Sequence, residues 1–144
     1  MSGNEYPDRP RVGVGAVVIK DGKVLLVKRG IPPNKGLWAI PGGSLKLGET
    51  LQKGAEREIL EETGITIRAG EPFYSFDFIE RDGNGRVHFH YVIIDMMADY
   101  VKGEVQAADD AHDARWVLPE ELKELQVSKN TLRILQYIQF IADV

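Results

Sequence analysis

The sequence predicts one domain of the α/β (α+β) class, in which largely antiparallel strands are combined with a few helices. Two β-branched runs lie either side of a three-residue turn near the N-terminus, and a second pair of strand-like runs flanks Asp82-Gly83-Asn84-Gly85. Both patterns read as hairpins. Between and after them lie two stretches with apolar residues at helical spacing and recognisable ends. The order of these signals is not the strict strand-helix alternation of a doubly wound parallel sheet. At 144 residues the chain is long enough to bury a core without cross-links, and one domain is expected over 1–144, with 1–10 as a flexible leader.

After that polar leader, residues 12–19 and 23–29 are expected as strands joined by Lys20-Asp21-Gly22. Residues 30–36, rich in Gly, Pro and Asn, read as a loop, followed by the short apolar piece 37–40 and a break at Pro41-Gly42-Gly43. Thr50 is placed to cap a helix over 51–63, in which Leu51, Ala55 and Ile59 recur at i, i+4 and i+8 and Gly64 suits the left-handed residue beyond the end. Residues 65–68 read as a strand, and 73–81 pairs with 86–97. Residues 107–114 form an acidic, small-residue connection, 115–118 a short strand, and 119–125 a short helix with Pro119 at its first position. Ser128 caps a last helix with Leu132, Leu135, Ile138 and Ile141 on one stripe and Ile134 and Tyr137 beside it.

Composition narrows the function. The chain has no cysteine, which excludes disulfides, thiolate catalysis and sulfur-ligated zinc. Its net charge of -4 argues against a nucleic-acid polymer or an anionic membrane as partner. The start of the chain has no hydrophobic segment typical of a secretory signal, so a cytoplasmic location is expected.

The segment from Gly42 to Ile65 places Glu56, Arg57, Glu58, Glu61 and Glu62 close together. On a helix, Glu58, Glu61 and Glu62 stand at i, i+3 and i+4 and share a face, beside the apolar face of Leu51, Ala55 and Ile59. Each like-charge pair at i,i+4 costs about 0.2–0.5 kcal/mol in an isolated helix. A divalent cation removes that cost, and with oxygen donors only the fitting ions are Mg²⁺ and, as a substitute, Mn²⁺. Arg57 is suited to clamp a carboxylate and fix its neighbours, with Glu61 at i+4 and Glu49 in reach. The competing reading is a solvated helix face with weak ion pairs.

Spacing separates the two. From Gly43 run five residues, Glu49, seven residues, and then Arg57-Glu58-Ile59-Leu60-Glu61-Glu62-Thr63-Gly64-Ile65. This resembles the Nudix box, GX5EX7REUXEEXGU with U a bulky apolar residue, at every specified position. The flanking GLWAIPGG and ARWVLPEEL are also similar to the family. The resemblance implies a Nudix-type α/β/α sandwich, with a mixed, largely antiparallel sheet between helices, and hydrolysis of a nucleoside diphosphate linked to another moiety X. It implies metal ligation by Gly43 (through its carbonyl), Glu58, Glu61 and Glu62, with Glu61 a ligand or a water-orienting base, Arg57 an orienting clamp and Glu49 its structural partner. Several members draw the base or a further ligand from a loop outside the box. Asp109 and Asp110 stand at a comparable place, with Asp110 preferred as the catalytic residue and an exposed acidic loop as the alternative.

Substrate contacts are expected from Arg29, on a phosphate or ribose, from Trp38 and Phe76, on a base, and from His112, on a phosphate; core packing and surface ion pairs are the competing roles. Phe78 and Tyr91 are further stacking candidates, and His88 and His90 share a strand face. Gly13-Val14-Gly15 begins like a dinucleotide fingerprint, but Val18 stands where the third glycine belongs. Some ADP-ribose-cleaving members carry a proline at the position of Arg81, and dinucleoside-polyphosphate members a tyrosine slightly later; neither occurs here. The short length is similar to that of small members acting on ADP-ribose or oxidised nucleotides. ADP-ribose or a related nucleotide sugar is therefore the first expected substrate, and an (oxidised) nucleoside triphosphate the second. A noncatalytic nucleotide-sensing domain is the reading from another class. A homodimer is common in the family and is expected as an assembly.

Overall fold

The computed structural model describes residues 5–142. Its elements are β1 (Arg11–Lys20), β2 (Lys23–Arg29), β3 (Trp38–Ala39), β4 (Gly42–Ser44), α1 (Leu51–Thr63), β5 (Thr66–Arg81), β6 (Val87–Lys102), β7 (Ala111–Val117), a 3₁₀ helix (Pro119–Glu124) and α2 (Lys129–Tyr137). The strands form a seven-stranded mixed sheet ordered β3-β2-β1-β6-β5, with β4 on β1 and β7 on β2. Only β1 and β6 run parallel; the other named pairs are antiparallel. No helix among the described residues is long and apolar enough to cross a membrane.

The sheet is filled from both faces because β1 alternates. Val14, Ala16 and Val18 pack with Ala55 and Ile59 of α1, while Val17 on the opposite face packs with Ile134 and Leu135 of α2. Burying an isoleucine such as Ile59 completely contributes about 1.5–3 kcal/mol. The result is the expected α/β/α sandwich. Helix α1 starts where Thr50 Oγ1 accepts a hydrogen bond from Lys53 N and ends at Gly64, which adopts φ 75°.

Several elements differ from the expected ones. The break at Pro41-Gly42-Gly43 contains β4, whose Gly42 and Gly43 lie opposite Gly15 and Val14 of β1. These glycines permit close approach of two backbones, since a Cβ at Gly42 would collide with the Val14 carbonyl. The two expected strands 65–68 and 73–81 form one strand, β5, which follows β6 through register shifts. Part of the expected acidic connection is already strand, because β7 begins at Ala111. Helix α2 ends at Tyr137, before Ile141; of the expected stripe Leu135 is buried and Ile138 and Ile141 pack against the same core, while Ile134 beside the stripe is buried with Thr131 and Leu132 is only half-buried. The leader has no regular element over residues 5–10, yet Tyr6 N donates to the His88 carbonyl at 2.8 Å and the Tyr6 ring stacks on His88. Residues 1–4 of that leader and 143–144 lie outside the described residues.

Candidate active site

Helix α1 presents its acidic face to β4. Arg57 lies at the centre: its Nε donates to Glu49 Oε2 at 2.6 Å and its Nη2 to Glu49 Oε1 at 2.9 Å, a two-pronged clamp. The same guanidinium reaches Glu58 Oε1 at 2.9 Å and Glu61 Oε2 at 3.3 Å through Nη1, and the Ser44 carbonyl at 3.0 Å through Nη2. One cation thus orients three carboxylates and ties the helix to β4. Its guanidinium holds the Glu49 carboxyl down at about 2. Gly43 lies against Glu58, where any Cβ would overlap the carboxylate.

The loop after β6 completes the group. Gln106 N donates to the Thr63 carbonyl at 2.8 Å and Ala108 N to the Glu62 carbonyl at 3.0 Å, so the end of α1 anchors the loop, while Gly30 N bonds the Asp110 carbonyl. Between these anchors Asp109 turns with φ 54°, a conformation that aspartate tolerates. One carboxylate oxygen each from Glu58, Glu61 and Asp109 lie within 4.8 Å of one another. Asp110, preferred from the sequence, lines the same open cleft but does not join that trio; the turn directs its neighbour there instead.

Glu62 also stands outside the trio. It is 4 % exposed, and its Oε1 accepts from Gly42 N at 2.9 Å. Burial pushes its carboxyl up to about 8, and burial also raises Glu58 despite Arg57. Three convergent carboxylates repel unless a cation joins them, and the donors are all hard oxygens. This set fits Mg²⁺ or Mn²⁺. Arg11 and Lys46 border the cleft and offer positive charge for phosphate oxygens.

A second cleft opens on the α2 side of β1 and β4. Gly13 and Gly15 face it in place of side chains, and Phe76, Phe78 and Tyr91 line it. Arg29 lines this cleft. Its Nε donates to the Pro33 carbonyl at 2.6 Å, its Nη2 is buried with no hydrogen-bond partner among the described residues, and it feels the charges of Glu62 and Asp110. Phe76 therefore lies where a substrate contact was expected. Trp38 does not: it is 6 % exposed in the α2-side core with Val17 and Leu135, and the Arg115 guanidinium covers its ring at 5.2 Å. His112 is exposed on β7 against Gly30 and lines neither cleft.

Besides Arg11 and Lys46, two residues at the second cleft were not singled out from sequence. Asp95 and Asn130 both border the second cleft. The available signal for Asp95 was a lone acid within the apolar run of β6; Asn130, in the first turn of α2, carried none.

Comparison with known proteins identifies the domain. The profile of the NUDIX domain matches residues 9–138. An ADP-ribose pyrophosphatase of Methanocaldococcus jannaschii is 37 % identical over 107 residues, covering 74 % of this chain and 61 % of that relative's length. A crystal structure of a MutT NUDIX hydrolase from Burkholderia pseudomallei is 32 % identical, with a TM-score of 0.78 over 92 % of this chain and 100 % of its own. A bifunctional NMN adenylyltransferase/ADP ribose pyrophosphatase from Francisella tularensis, complexed with AMP and a Mn ion, is 29 % identical, with a TM-score of 0.69 over 90 % of this chain and 41 % of its own.

Proposed function

From the premise that this chain belongs to the NUDIX hydrolase family, we propose that it hydrolyses the pyrophosphate bond of a nucleoside diphosphate linked to X, with ADP-ribose or a similar nucleotide sugar as substrate. The observation that supports this most is the convergence of Glu58, Glu61 and Asp109 within 4.8 Å, held by the Arg57 clamp beside a cleft suited to a nucleoside. The Methanocaldococcus relative and the AMP-bound Francisella structure support the substrate class.

Glu58, Glu61 and Asp109 would hold the cation, with the Gly43 carbonyl and Glu62 completing the set. When bound, Mg²⁺ (or Mn²⁺) neutralises phosphate charge and eases deprotonation of the attacking water. Arg57 fixes Glu58 and Glu61 so that no reorganisation is needed as charge develops. Arg29, which lines the second cleft, would donate to the diphosphate. Water attacks one phosphorus, the P–O–P bond breaks, the second phosphate leaves with the bond electrons, and the water proton passes to a carboxylate. With Asp109 in the trio, Asp110 on the same cleft wall is the proposed general base. The cytoplasm, where such nucleotides are made, and a homodimer belong to the same proposal.

The test is incubation with Mg²⁺ and a panel containing ADP-ribose, a nucleotide sugar and an oxidised nucleoside triphosphate, with products separated by chromatography. ADP-ribose is expected to yield AMP and ribose 5-phosphate, and Glu61→Gln to lower kcat by about 10²-fold or more. Turnover unchanged in Glu61→Gln would refute the assigned site.

A further inference from the structure

The second cleft contains a carboxylate that takes no part in the acidic site. Asp95 is 3 % exposed and borders the cleft. No hydrogen bond or ion pair to its side chain is present among the described residues, and burial alone raises its carboxyl. A carboxylate this enclosed, whose small remaining exposure is to a cleft, calls for a hydrogen-bond donor there. Gly15, opposite it on β1, keeps the approach open, because a Cβ there would lie 2.6 Å from Asp95 Oδ1 and 2.9 Å from the Pro41 carbonyl.

The rest of the cleft narrows the chemistry. Phe76, Phe78 and Tyr91 give it an aromatic wall, which suits a flat ring better than a sugar. Arg29, which lines the same cleft and feels the charge of Asp110 on the acidic cleft, suits the phosphate end. The ionised carboxylate only accepts hydrogen bonds, and an N–H edge seated against it favours that form over the neutral one that burial promotes. We infer that Asp95 is the specificity-determining residue of a nucleobase pocket, accepting a hydrogen bond from the exocyclic amino group of a base whose ring lies against the aromatic wall. This rests on the nucleotide reading above and names the part of the substrate that the second cleft selects.

The experiment measures kcat/KM of the full chain with Mg²⁺ for ADP-ribose and for inosine diphosphate ribose, which carries an oxygen where adenine has its amino group. The unaltered chain is expected to favour ADP-ribose by about tenfold or more. Asp95→Leu is expected to remove the preference by losing rate on ADP-ribose alone, with a melting temperature equal to or above that of the unaltered chain. Asp95→Val reads the same preference should leucine overfill the site. Equal loss on both substrates, or a preference that survives both substitutions, would overturn the assignment. Titration calorimetry with AMP and IMP reads the preference without turnover. A chain that hydrolyses neither substrate therefore refutes the proposed reaction while the Asp95 assignment is still decided by binding.

Discussion

Arg57 shows how much a single side chain can organise when its partners lie on different elements. Its clamp on Glu49 leaves both side chains about four-fifths buried, at 21 % and 18 % exposure. The Glu49 carboxyl is lowered from 4.5 to about 2, so the folded state favours its ionised form. The stabilisation is present above pH 4.5 and is lost as pH falls toward about 2. Glu49→Gln is therefore expected to cost about 1 kcal/mol near neutral pH, with a difference from the unaltered chain that shrinks across that acid window in urea unfolding. At this scale the sequence was informative where spacing is local: Glu49, Arg57, Glu58 and Glu61 belong to one helix and the loop before it. Asp95 and Asp109 were not legible in the same way. Their placement depends on Gly15 across the sheet and on backbone bonds from Ala108 to Glu62 and from Gly30 to Asp110, contacts between residues far apart in the chain.

At the scale of elements, α1 was readable end to end because its signals are chemical and local. Thr50 supplies an acceptor to Lys53 N and Gly64 takes the positive φ that ends the helix. Strand β4 was misread because Gly42 and Gly43 look like turn residues, whereas steric contact with Val14 and Glu58 explains them. The two kinds of position make different predictions. Thr50→Ala is expected to lower stability by about 1 kcal/mol in urea unfolding and leave kcat unchanged. Gly43→Ala is expected to displace Glu58 and abolish most of the turnover, which the same product assay reads. Helix α2 shows the limit of periodicity: the stripe through Leu135 was readable, but that Ile134 beside it is buried while Tyr137 is exposed is decided by docking against Val17 and Trp38.

In the whole molecule, the sandwich places one cleft on each side of β1 and β4. The acidic cleft lies on the α1 side and the aromatic cleft, lined by Arg29, on the α2 side. A substrate with a charged diphosphate and a flat base has these two needs at either end. Mixed-sheet topology could be anticipated from two hairpins and the resemblance to the family, while the parallel β1–β6 pairing that creates the second cleft could not, because it joins the first strand to one that begins at Val87. That the three convergent carboxylates bind a cation is read by titrating Mn²⁺ into the unaltered chain and into the Glu58→Gln, Asp109→Asn double variant, following bound ion by calorimetry. Saturable binding is expected of the unaltered chain, weakened at least about tenfold in the double variant. Undiminished binding by a folded double variant would contradict the assignment.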